Sequence, residues 1–189
     1  MQAKLRAALL RPLTIVCLGL AGPGVQAHEP GAHVHGQAVL RVVVDGNTLS
    51  AELESPLDNI LGFEHAPGSA QEQQAVTLAV TALRKPGGIL LPTPAAQCTL
   101  QKVSLASAAL TPTMLGEPGT ATPPSADEPG HADLDGEFSW QCAKPEFLHS
   151  LRVDLFLAFP RLHKMQVEVA GPKGQSATTL TGSHRTVQW

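Results

Sequence analysis

Between Gly36 and Pro56 the chain alternates. Leu40, Val42 and Val44 interleave with Val39, Arg41 and Val43, and after "DGN" (45–47) Leu49, Ala51 and Leu53 interleave with Ser50, Glu52 and Glu54. A period of two predicts two strands with one face apolar and one wet. Asp-Gly-Asn tolerates positive φ, so the pair is expected to close as a hairpin. The period then changes. Ser55, Pro56 and Asp58 supply an N-cap, an N1 proline and an acid at N3, so a short helix through Leu57, Ile60 and Leu61 is expected, stopped by Gly62. "FEHAPG" reads as a loop. Ser69 and Glu72 form a capping box, and Val76, Ala79, Val80 and Leu83 recur at helical spacing up to about Arg84. "KPGG" closes that helix.

Strand character returns at 97–105, which carries Cys98. Residues 107–136 lack periodicity, are rich in Pro, Gly and Thr, and turn acidic towards their end. They predict a long loop inserted between two strands. Glu137 to Cys142 is the second of these strands, with Phe138, Trp140 and Cys142 on one face. "KPEFLHSL" is a turn or single helical turn. "RVDLFLAF" alternates Val153, Leu155 and Leu157 with Asp154, Phe156 and Ala158 and reads as a strand ended by Phe159 and Pro160. "MQVEVA" and "GQSATTL" supply two more, with "RTVQW" a candidate edge strand beyond them. The order β-β-α-α-β-loop-β-β-β-β predicts an α+β domain: an antiparallel sheet with two consecutive helices packed on one side.

The first 27 residues fit none of this. Lys4, Arg6 and Arg11 precede the apolar run "PLTIVCLGLAG", too short to span a bilayer, and "VQA" (25–27) presents small residues around a cleavage point. A signal peptide ending at Ala27 is expected, with residues 28–189 as one exported domain and no stable membrane insertion after cleavage. The expected mature chain has 162 of the 189 residues, and its charge is −6, from ten Lys and Arg against 16 Asp and Glu. That balance argues against a nucleic-acid partner and suits a protein that attracts cations. The chain has no tyrosine, which excludes phenolic catalysis. Two cysteines survive processing, Cys98 and Cys142. In an exported protein such a pair reads as a disulfide rather than a thiolate metal site, since neither has a second Cys in C-x-x-C spacing.

Histidine carries the candidate chemistry. "AHEPGAHVHG" (27–36) holds His28, His33 and His35 out of eight in the chain. His33 and His35 are two apart, so on extended backbone both rings point to one side, as zinc chelation requires. His65 sits beside Glu64 in the loop between the helices, and His131 lies in the long loop near Asp127, Glu128, Asp133 and Asp135. Imidazole suits zinc, copper and nickel, and nearby carboxylates complete or orient a shell. A solvated tail accounts equally for an isolated H-x-H. His65 serves as readily to hold a loop, and His149, His163 and His184 read as ordinary surface residues.

"HVHGQAVLRVVVDGNTLSAELESPLDNILGFEHAP", with "AAQCTL", the second Cys followed by "KPEFL", then "LFLAFP" and "GQSATTL", resembles the ZrgA-like periplasmic zinc-uptake proteins across nearly the whole mature chain. The resemblance implies a periplasmic zinc-binding protein working with a metal ABC importer or its binding protein. Family members often carry a His/Asp/Glu-rich tract between the cysteine strands. Here that loop has one histidine, so the expected ligands are His33, His35, His65, Glu64 and His131, with His28 and Asp133 secondary. Affinity is then expected to fall below about pH 6.5, where imidazole gains a proton. Three other readings stand beside this one. The mature α-amine and His28 ring could chelate copper. A zinc site with an open position could hydrolyse a substrate with Glu64 as base, although the chain has no G-x-S-x-G, H-E-x-x-H or P-loop. The last is an exported structural domain without metal.

Overall fold

The computed structural model describes residues 34–119 and 132–189. These lie within one compact unit, residues 32–189. The expected signal peptide, His28, His33 and His131 fall outside the described residues.

The hairpin forms as its pattern dictates. β1 (Gln37–Asp45) pairs antiparallel with β2 (Thr48–Pro56), Asp45 opposite Thr48, and Gly46 turns the corner at φ 56°. Leu40, Val42, Leu49, Ala51 and Leu53 are buried. The short helix α1 (Leu57–Leu61) ends at Gly62 in the left-handed conformation, but its cap differs from expectation. The strand runs on through Pro56, which takes the N-cap position without a side-chain bond. Ser55 stays in the strand, fully buried, its hydroxyl donating to the Pro56 carbonyl. α2 (Ala70–Arg84) has the reciprocal capping box of Ser69 and Glu72 and buries Val76, Ala79 and Leu83.

After a 3₁₀ turn at Pro86–Gly88 comes a strand the periodicity did not reveal, β3 (Leu90–Pro92). β4 (Cys98–Ala106) follows, then a helical turn, α3 (Pro112–Leu115), inside the segment expected to be featureless. Leu110 and Leu115 there are buried. Arg84 holds α3 to α2, donating twice to the Leu115 carbonyl and pairing with Glu117. β5 (Asp133–Cys142) begins four residues before the expected Glu137, because Leu134 and Gly136 continue the inward alternation of Phe138 and Trp140. Gly136 packs closely there: a Cβ would lie 3.0 Å from the Phe138 ring. The expected loop is therefore shorter and partly structured. Cys98 and Cys142 form the disulfide, directly opposed across β4 and β5.

The stretch 152–159 is not one strand. β6 (Ser150–Val153) stops at Asp154, and Leu155–Ala158 is a helical turn, α4, whose Leu157 and Ala158 N–H groups return to the Asp154 carbonyl. Both phases of that stretch are apolar, so its alternation carried little information. β7 (Lys164–Gly171), β8 (Gly174–Thr181) and β9 (Thr186–Gln188) complete the chain.

The strands make two sheets, β4-β5-β2-β1-β7-β8 and β3-β6-β9. The larger is mixed, not antiparallel as expected, since β1 and β7 run parallel. The junction explains this. The N–H groups of His163 and Lys164 both donate to the Gly36 carbonyl, at 2.8 and 2.9 Å, so β1 and β7 leave one point together in the same direction. One core takes the inward residues of both sheets and of α2. Among the described residues no helix is long and apolar enough to cross a membrane.

Candidate metal centre

The Gly36 junction is also where the candidate ligands meet. His35 immediately precedes it and is half-exposed. Its Nε2 lies 3.0 Å from Glu64 Oε1, across 29 residues of sequence, and its Nδ1 faces Asp58 Oδ2 at 3.9 Å. The imidazole is thus flanked by a carboxylate on each nitrogen. Glu64 reaches it because Gly62, at φ 84°, ends α1 after one turn and sends the chain back.

The backbone beneath His35 is fixed by Asn59, which is 1% exposed. Its Oδ1 accepts the Gly36 N–H, and its Nδ2 donates to the Gln37 carbonyl at 2.8 Å and to Ser55 Oγ at 3.1 Å. One amide therefore ties β1's first residues to α1 and β2. Gly36 sits at φ 80°, and a Cβ there would approach His163 Cδ2 to 2.9 Å. Only glycine fits without strain. Asp58 is in turn gripped by Arg161: Nη2 donates to Oδ1 at 2.8 Å and to Oδ2 at 3.0 Å, and Nε to Oδ2 at 3.1 Å. "SPLDNILGFEH" therefore encodes one object: Ser55 and Asn59 hold the backbone, Asp58 and Glu64 face the ring, and Gly62 makes the return.

Of the sequence candidates, His35 and Glu64 come together. His65 has other described neighbours. Its ring stacks on Phe63 with centroids 5.1 Å apart, Nδ1 lies 3.0 Å from the Ala66 carbonyl, and Nε2 lies 3.8 Å from Glu72 Oε1. The Ser69 and Gly68 N–H groups hold the Glu72 carboxyl below its ordinary value, and the nearby His65 adds to the effect. Asp133 opposes Pro56 at the start of β5, and the adjacent Ala132 accepts the Leu57 N–H, tying the end of the long loop to the start of α1. Sequence reasoning missed Asp58 as a partner of His35, and with it Asn59, Arg161 and the packing of His163. The available signal was a polar Asp-Asn pair on a helix too short to need either.

The donor chemistry suits zinc. Zn–N near 2.0–2.1 Å and Zn–O near 2.0–2.2 Å place two tetrahedral ligands about 3.3 Å apart. The His35–Glu64 separation of 3.0 Å is within a small side-chain adjustment of that. Among the described residues no group of three or more His, Cys, Asp or Glu is arranged to hold a metal. A zinc site built on this pair would need further donors. Residues 32–189 match the family described as ZrgA family zinc uptake protein, and the chain belongs to that family. No curated protein matches it.

Proposed function

We propose that this zinc-uptake family member is an exported, periplasmic zinc-binding protein that passes zinc to, or buffers it for, a metal importer. Its proposed donor set is His33, His35, Glu64, His65 and His131, centred on the His35–Glu64 pair. That pair is the observation that supports the reading best: two good zinc donors 3.0 Å apart, each positioned by backbone that the Asn59 amide or the Gly62 turn fixes. A carboxylate with an imidazole gives a site of intermediate softness, suited to zinc rather than to calcium or magnesium. The expected export through a signal peptide cleaved at Ala27 brings His33 and His35 close to the mature N-terminus.

Calorimetric titration of the purified, untagged protein with zinc at neutral pH tests the proposal. Saturable binding at micromolar Kd or tighter is expected. His35→Ala should weaken it at least tenfold and His65→Ala less, because the His65 ring is already turned to Glu72. His163→Ala should leave it near wild type. Binding no tighter than millimolar would remove the reading.

A further inference from the structure

We infer that Asp58, locked by Arg161, is a positioning residue that orients the His35 ring for metal and is itself kept off the metal; this rests on the proposed zinc site. A neutral imidazole that gives Nε2 to a metal must carry its proton on Nδ1. The ligand is better fixed, and more basic, when that N–H has an acceptor. Nδ1 of His35 faces Asp58 Oδ2 while Nε2 faces Glu64. The two carboxylates therefore differ in role. At 3.9 Å the Asp58 contact is longer than a hydrogen bond and closes by a small rotation of the ring as the metal engages Nε2.

Asp58 is poorly placed to be a ligand. All three described guanidinium bonds fall on its two oxygens. Arg161 offsets its charge as well as fixing its plane, since a bidentate guanidinium matches a carboxylate in both geometry and sign. What remains is an oriented acceptor lone pair with little net pull on a cation. Asp58 also stands on α1 next to Asn59, whose amide fixes the backbone after His35. Ring and backbone are thus set by consecutive residues of one helical turn.

The test is zinc affinity together with the visible spectrum of the cobalt(II)-substituted protein, measured on wild type, His35→Ala, Asp58→Ala, Asp58→Asn and Arg161→Ala. Circular dichroism monitors the fold. Asp58→Ala is expected to weaken zinc about 10- to 100-fold. Asp58→Asn, which keeps an acceptor oxygen, should recover part of that loss. At saturating metal the cobalt bands of both should stay at wild-type positions, because the ligand set is unchanged. Arg161→Ala leaves the carboxylate in place but unclamped and should weaken zinc a few-fold. It carries the test should Asp58→Ala fail to fold. Wild-type affinity in Asp58→Ala and Arg161→Ala, with binding lost in His35→Ala, overturns the positioning role and leaves the zinc site standing. Shifted cobalt bands in Asp58→Asn would make Asp58 a ligand and also overturn it. Unchanged affinity in His35→Ala removes the site and the inference together.

Discussion

Two buried aspartates sit at the starts of two short helices, and each is held by arginine. Asp58 lies in the first turn of α1 and Asp154 at the N-cap of α4, and both are 7% exposed. Asp58 takes one arginine and faces a histidine. Asp154 takes two arginines and has no histidine among its described partners: Arg152 bonds to both its oxygens, and Arg185 donates to Oδ1 at 2.6 Å. The Asp154 hydrogen bond holds the Arg152 guanidinium above even its ordinary high value. The same device, a carboxylate near a helix start locked by guanidinium, thus serves two ends. At Asp154 it stitches β6 to β9, with arginine on both carboxylate oxygens. At Asp58 one side of the carboxylate is left towards a half-exposed imidazole. A buried ion pair is therefore no sign of a site in itself; the third group beside it decides.

The sharpest way to break this comparison is to remove the structural member. Asp154→Ala leaves Arg185, 26% exposed, and part of Arg152 without their counter-charge. Breaking a buried pair costs about 3–5 kcal/mol, and the exposure of Arg152 puts the expectation near the lower end. Urea denaturation should show a loss of about 3 kcal/mol, with zinc affinity at low denaturant unchanged. A tenfold loss of zinc affinity in a folded Asp154→Ala protein would merge the two aspartates into one role.

The next test is at the junction that separates them. Gly36→Ala forces a side chain onto φ 80° and into His163 at 2.9 Å. Strain of this kind costs about 1–3 kcal/mol, and the flexible His163 ring can give way, so about 1–2 kcal/mol of stability should be lost. The larger signature is functional. The residue after His35 can no longer hold its bonds to Asn59 and β7 undisturbed, so zinc affinity should fall at least tenfold. A loss of stability with affinity intact would mean that the clamp serves the sheet and not the ring.

How much of this was legible follows from what each signal depends on. The β1–β2 hairpin, the Ser69–Glu72 box and the Cys98–Cys142 pair are written in residues close together or few enough to pair unambiguously, and all three formed as read. The parallel joining of β1 to β7 was not legible, because local alternation does not name a distant partner or its direction. Residues 133–136 looked like acidic loop because Asp133, Asp135 and Gly136 are turn-formers by composition. Leu134 and the ring of Phe138 override them. At the site, His35 and Glu64 were visible as donor types. Asp58 was visible only as a helix-start acid, since its bond to Arg161 spans 103 residues and no pattern reports it.

A third carboxylate–arginine pair sharpens the comparison with the smallest effect. Glu117 accepts the Leu105 N–H at 2.7 Å and pairs with Arg84, with no described histidine partner. It should therefore behave like Asp154 in kind and less in degree, its side chain being 21% exposed. The Leu105 N–H first, and Arg84 after it, hold its carboxyl below the ordinary value of 4.5. A carboxyl whose folded value is lowered favours folding at pH above its unfolded value, and that contribution fades as pH falls through the folded value. Glu117→Gln keeps an acceptor for Leu105 but not the charge. The variant should be less stable than wild type by up to about 1 kcal/mol at pH 7. The gap should hold down to about pH 5 and close below pH 4, where wild type also loses its charge. Urea midpoints across pH 3–7 measure it. A gap that persists unchanged at pH 3 would show that Glu117 acts through shape rather than charge, and would separate it from both aspartates.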